Sequence, residues 1–307
     1  MEIVNLTAQE VRDAVPMTVA IDAVRRAFID LSAGSFEMPL RTALGDGQFL
    51  VMSAHHRPTR SAMVKTLSLN FESRTPAIVG TVTWSDLVRT SQVVADASAV
   101  TALRTGAVSG VATDLLAPSD AALCTVFGAG AQAADQVRAV HAVRPLRELT
   151  VVDVDLSRAD ALARALADEL GTDVKVTAST DAERSVRGRD IICCATTARA
   201  PIFSTEALAE FVHVNAIGAF RPSMREVPDD LLGEAEVVVD LRSAVLEESG
   251  EVIHAIEAGV LDPSAMTELG DALQRPRPDA KRTVFKSVGV AAQDWAIARV
   301  LADRFLS

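Results

Sequence analysis

The chain has 307 residues, of which 49% are hydrophobic and 23% charged, and a formal net charge of −11. That length accommodates two domains with cores of their own, because single domains run to about 100–200 residues. The acidic balance excludes attraction to nucleic acid or an anionic membrane by the overall field. No apolar run reaches the roughly 18 residues that span a bilayer, and the opening MEIVNLTAQEVRDAV carries acids where a secretory leader carries bases, so a cytoplasmic protein is expected.

Residues 1–34 read as a strand, MEIVNL, then a helix N-capped by Thr7 with Glu10 three residues on, a capping box. A further helix from about Thr18 sets Ile21, Val24, Phe28 and Leu31 on one face, and Gly34 closes it. Strand-like pieces follow at 40–44, 48–53, 62–70 and 78–84, separated by Gly45-Asp46-Gly47 and by the turn residues of 73–76. Strands in succession, with little helix between them, predict an antiparallel or mixed sheet. The stretch 97–116 is rich in small residues at helical spacing and ends before Pro118, which predicts a closely packed helix.

The stretch 123–155 organises the rest of the chain. An apolar run reaches Gly128-Ala129-Gly130-Ala131-Gln132-Ala133, a helical pattern continues to Val143, and a second apolar run ends on Asp153. In a dinucleotide-binding unit the first glycine makes the tight turn, the second lets the backbone approach a pyrophosphate, and a third small residue packs helix on strand. Here these are Gly128, Gly130 and Ala133, with the amides of Ala131 and Gln132 at the positive end of the helix dipole. Asp153 stands where an acid takes the ribose hydroxyls, which favours NAD over NADP, although NADP stays open. Arg158 reads equally as a partner for a phosphate or as a solvated arginine at a helix start. Beyond it come a helix at 157–170 ended by Gly171, a strand at 174–176, and apolar runs at 190–197, 212–217, 237–241 and 284–288. Strands alternating with helices mean a parallel sheet. The expected fold class is α/β, a Rossmann-type doubly wound parallel sheet plus an α+β substrate and dimerisation domain. Residues 1–117 form that second domain, joined by the helix at 291–307, and 118–290 form the dinucleotide-binding domain.

Ligands in such sheets bind beyond the carboxyl ends of the strands, at Thr196-Thr197, Gly218, Asp240 and Ser287-Val288-Gly289. The two threonines suit a nicotinamide ribose or, equally ordinary, caps at a strand-to-loop junction. The first domain supplies Arg41, Lys65 and Arg104, each flanked by apolar or small residues. A buried lysine has its pKa lowered and serves as acid and base near neutrality, and arginine offers a planar fork to a carboxylate. Together they suit an α-amino or α-keto acid. Cys124, Cys193 and Cys194 fall in apolar runs and read as core residues. His55-His56 lie adjacent on a strand and face opposite ways, and His141, His213 and His254 have no ligand spacing, so no metal is expected.

MPLR at 38–41, the VKT around Lys65, TALRTGAVSGVATDLLA at 101–117, VFGAGAQA at 126–133, VNAIGA at 214–219 and TVFKSVGVAAQDWA at 283–296 resemble the ornithine cyclodeaminase and mu-crystallin family over almost the full length. The resemblance implies that Arg41, Lys65 and Arg104 bind the substrate carboxylate and its neighbouring atoms. It implies cofactor contacts from Thr81, Arg104, Ala131, Gln132, Asp153, Thr196 and Ser287, with Val288 near the substrate. Glu251, in EESGEVI, matches the position of a proposed acid/base aspartate but is one methylene longer. Leu50 stands where the cyclodeaminases carry a glutamate, so a distal substrate amine loses its carboxylate partner. The family implies hydride transfer at C2 of a small amino or imino acid, as in an alanine dehydrogenase or a ketimine or pyrroline-carboxylate reductase. Two alternatives stand beside it: a cyclodeaminase-type lyase that recycles NAD, and a mu-crystallin-like protein that binds cofactor and ligand. A homodimer built through the first domain's sheet is also implied.

Overall fold

The computed structural model describes residues 2–70 and 78–306, so the turn expected at 73–76 lies outside the described residues. The chain divides into two compact units, Met1–Val108 with Val290–Ser307, and Ser109–Gly289. The division falls inside the helix Ala97–Leu116, not after residue 117. A chain that passes between units without leaving a helix carries no turn residues to mark the crossing.

Among the described residues the first unit has a seven-stranded sheet: β1 (Ile3–Leu6), β2 (Phe36–Glu37), β3 (Thr42–Leu44), β4 (Phe49–His56), β5 (Ser61–Leu69), β6 (Ile78–Asp86) and β7 (Gln92–Asp96). The order is β1-β7-β6-β5-β4-β2, with β3 also paired to β4. β1 is parallel to β7 and every other pair is antiparallel. Ser61, Met63, Lys65, Leu67 and Leu69 of β5 are buried while Val64 and Thr66 between them are exposed, the period-two pattern of a sheet covered on one face. The helix Ala291–Phe305 packs on β4 to β7 and on the helix Met17–Ser32. Trp295 fixes it there: its indole Nε1 donates to Ser61 Oγ at 3.1 Å, and its ring lies 4.5 Å from that of His56 and 5.5 Å from that of Trp84. Thr7 and Glu10 make both bonds of the capping box.

The second unit has, among the described residues, eight strands: β8 (Leu123–Phe127), β9 (Glu148–Val152), β10 (Lys175–Ser179), β11 (Ile191–Cys194), β12 (Val212–Ala216), β13 (Glu236–Val239), β14 (Thr267–Glu268) and β15 (Arg282–Lys286). They are ordered β10-β9-β8-β11-β12-β15-β13-β14, all parallel. The chain builds outward from β8 in one direction through β9 and β10, then crosses to β11 and β12 on the other side, so the end of β8 is the topological switch point. Parallel strands covered on both faces need near-continuous apolar runs, and LCTVF and IICC supply them. Cys124 and Cys193 lie in the core with Val126, Val151 and Ile191, against Val137, Val140, Ala159 and Leu166 of the flanking helices. All three cysteines are free and buried. No helix among the described residues is long and apolar enough to cross a membrane.

Candidate functional site

At the carboxyl ends of β8, β9 and β11 the second unit holds a cavity of about 440 Å³, lined by Gly128, Gly130, Asp153, Arg158, Thr196 and Ile202 among others. Gly128 has φ +89°, and a Cβ on it would stand 2.6 Å from the Ala195 carbonyl oxygen; only glycine fits. A Cβ on Gly130 would meet nothing within 4 Å, so bare backbone faces open space. The helix Ala133–Val143 starts after Gln132. Among the described residues no protein acceptor takes the amides of Ala131 or Gln132, which leaves both free for an anion at the helix start. Asp153 closes the turn from β9. Its Oδ2 accepts from Ala129 N at 2.7 Å and its Oδ1 from Asp155 N at 3.0 Å. Arg158, half exposed, puts Nη1 3.9 Å from Asp153 Oδ1 and donates through Nη2 to the Ala129 carbonyl at 3.2 Å. Thr196 lines the cavity, and its hydroxyl also accepts from Ala198 N at 3.1 Å; it is a loop cap as well as a wall residue. A glycine cradle, two unengaged amides and a terminal carboxylate fit a dinucleotide.

The first unit gathers the cations. Lys65 is fully buried on the inner face of β5, and its Nζ donates to Asp294 Oδ1 at 2.8 Å. Arg104, on the helix Ala97–Leu116, puts Nε 3.4 Å from the same oxygen and donates through Nη1 to Gln293 Oε1. Two cations thus share one carboxylate oxygen. Burial pushes the Lys65 amine down to about 8; Asp294 opposes the fall, while the charges of Arg104 and Arg41 add to it. Arg41, just before β3, is therefore part of this electrostatic cluster. Asp294 and Gln293 were missed in the sequence, although each is a polar side chain fully buried in an apolar helix, a conspicuous placement.

The remaining expected residues each have their own surroundings. Thr81 pairs with Thr66, whereas Lys65 pairs with Val82; Thr81 is exposed on the outer face of the sheet and the structure does not bring it to the cations. Ser287 donates its hydroxyl to Asp240 Oδ2 at 2.7 Å, and the amides of Val288 and Gly289 donate to the same oxygen. Asp240 fixes this loop. Glu251 is wholly buried: Oε1 lies 2.6 Å from Lys286 Nζ, and Oε2 accepts from Glu226 N at 2.8 Å. Both oxygens are thus engaged inside the second unit. Leu50 is buried on the same face of β4 as Met52, the pair-mate of Lys65.

In fold and cavity the second unit is of the dinucleotide-binding class. The model of the ornithine cyclodeaminase/mu-crystallin family matches residues 1–307, and the chain belongs to that family. It is 32% identical to a Delta(1)-pyrroline-2-carboxylate reductase of Bacillus cereus, covering 98% of this chain and 96% of the relative. Among solved structures it resembles the Thermococcus litoralis Delta(1)-pyrroline-2-carboxylate reductase in complex with NADH and L-proline, with TM-score 0.92 and 29% identity over 99% of this chain and 97% of that one. It also resembles an archaeal alanine dehydrogenase dimer with bound NAD, with TM-score 0.88 and 28% identity over 100% and 97% of the two chains.

Proposed function

We propose that this protein is a nicotinamide-dependent oxidoreductase acting at C2 of a small α-imino or α-amino acid, with a cyclic imino acid such as Δ1-pyrroline-2-carboxylate as the substrate to test first. The observation that carries the reading is the buried cluster in which Lys65 and Arg104 share a single oxygen of Asp294. Two desolvated cations against one carboxylate favour a second anion, and an α-acid brings one. Arg104 and Arg41 hold the substrate carboxylate. Lys65 keeps the proton that the imine nitrogen takes up during reduction, and receives it back during oxidation. When bound, the nicotinamide supplies or accepts the hydride at C2. Gly128, Gly130, Ala131 and Gln132 would hold its pyrophosphate, Asp153 the adenosine ribose and Thr196 the second ribose.

Leu50 offers no carboxylate to a distal ammonium, which weighs against cyclodeamination. Asp153 favours NADH over NADPH, because a carboxylate repels a 2′-phosphate. A homodimer through the outer face of the first unit's sheet completes the proposal. It is supported by the exposed Phe49, Val64 and Val79, whose side chains share that face. The test is absorbance at 340 nm with NADH and a panel of imino and keto acids, and with NAD and amino acids. Net consumption of NADH with a small imino acid is the expected result. Ammonia release from ornithine or lysine without net cofactor change would replace this reading with the lyase.

A further inference from the structure

No motif singled out Glu226, yet it is wholly buried and its carboxylate accepts three main-chain N–H groups. Thr196 N donates to Oε1 at 2.6 Å, and Gly218 N and Ala219 N donate to Oε2 at 2.7 and 3.0 Å. Thr196 belongs to the loop after β11, and Gly218-Ala219 to the turn after β12. One side chain therefore ties together the ends of two adjacent parallel strands. The main chain adds to the tie: Ile202 N donates to the Glu226 carbonyl and Arg225 N to the Ala198 carbonyl, each at 2.9 Å. Ala195, Thr196, Thr197, Ala198 and Ile202, all in this loop, line the cavity.

We propose that Glu226 is a positioning residue of the dinucleotide pocket, holding the loop 195–202 in place and so setting affinity for the nicotinamide half of the ligand. The half follows from topology. Asp153, at the end of β9, receives the adenosine ribose, and β11 lies on the opposite side of β8. A second layer supports the clamp. Glu251 accepts the Glu226 amide, Lys286 pairs with Glu251, and the same ammonium donates to the Ala219 carbonyl at 2.6 Å. There is no slack in the arrangement: a Cβ on Gly218 would stand 2.3 Å from the Thr196 carbonyl oxygen and 2.5 Å from Glu226 Oε1. Glu251 thus backs Glu226 from the far side of the clamp. Glutamine in place of Glu226 turns an NH₂ toward at least one of the three amides, and a buried donor left without its acceptor is costly.

The inference rests on the dinucleotide reading above, and its test separates the two. The full-length wild type and E226Q are titrated with NADH and, separately, with ADP by isothermal titration calorimetry, after circular dichroism has compared their folding. The expected result is a rise of about tenfold or more in Kd for NADH, with Kd for ADP within about twofold. An unchanged NADH Kd in folded E226Q overturns the proposal, and so does an equal weakening of both ligands, which would make Glu226 a general structural prop. Should E226Q not fold, E226D takes its place: the shorter carboxylate cannot span both loops, and selective weakening of NADH is again required. A wild type that binds neither nucleotide overturns the functional reading itself.

Discussion

The Lys65 amine, held at about 8, exchanges its proton near neutrality, whereas a solvated lysine would not. In the proposed mechanism reduction uses the ammonium and oxidation the free amine. The reductive kcat/KM is therefore expected to fall as pH rises through about 8 and the oxidative one to rise. Lys65→Ala should lose turnover while Kd for NADH stays within a few-fold; unchanged activity would remove Lys65 from the chemistry. Stability follows the same proton. The unfolded lysine keeps its ordinary value of 10.5, so between pH 8 and 10.5 the unfolded chain binds more protons and the Lys65 contribution to stability rises with pH. Asp294→Asn leaves Lys65 and Arg104 buried without their shared counter-charge, an expected loss of about 3–5 kcal/mol in denaturant unfolding, and moves the reductive inflection below 8. Lys65, Arg104 and Asp153 were legible because each interrupts an apolar context. Asp294 was not, since 229 residues separate it from Lys65, and only the folded sheet brings them together. Glu251 stood out only through the family resemblance of EESGEVI, and its partners Lys286 and Glu226 come from other strands and loops.

At the scale of elements, the glycine turn, the capping box and the alternation of strand and helix could be read locally because each depends on near neighbours. β2 and β7 could not. The first is two residues long, and the second, QVVAD, is too short to establish a period. The loops that follow β11 and β12 were visible as strand ends, but the carboxylate that binds them was not. Gly218→Ala is expected to weaken NADH binding and lower the melting temperature together, because its Cβ would collide with the backbone of Thr196 and backbone cannot rotate away. A pH effect belongs here too. Burial, then the charge of Glu251, pushes Glu226 up to about 7, while Lys286 and the Thr196 bond oppose the rise; Cys194 also feels this cluster. A protonated Glu226 loses an acceptor, so NADH affinity should fall several-fold from pH 8 to pH 6 in the wild type and stay flat in E226Q.

For the molecule as a whole, the row of Phe49, Val64 and Val79 gives the proposed dimer a direct test. Val64→Glu should shift the mass measured by light scattering from dimer to monomer without loss of the far-ultraviolet spectrum; an unchanged mass would place the interface elsewhere. The division of the chain has a different consequence. The first unit begins with β1, yet the helix that supplies Asp294 and Gln293 to it is made only after the entire second unit. At about 5–20 residues per second, a ribosome needs some ten seconds or more to travel from Lys65 to Asp294. During that interval β5 has its lysine but no counter-charge, and the inner face of the sheet has no helix to cover it. The second unit, continuous in sequence, has every strand in hand before the first unit can close. Its folding is therefore expected to come first during synthesis, and chains arrested before residue 291 should present β4 to β7 as a ready substrate for chaperones.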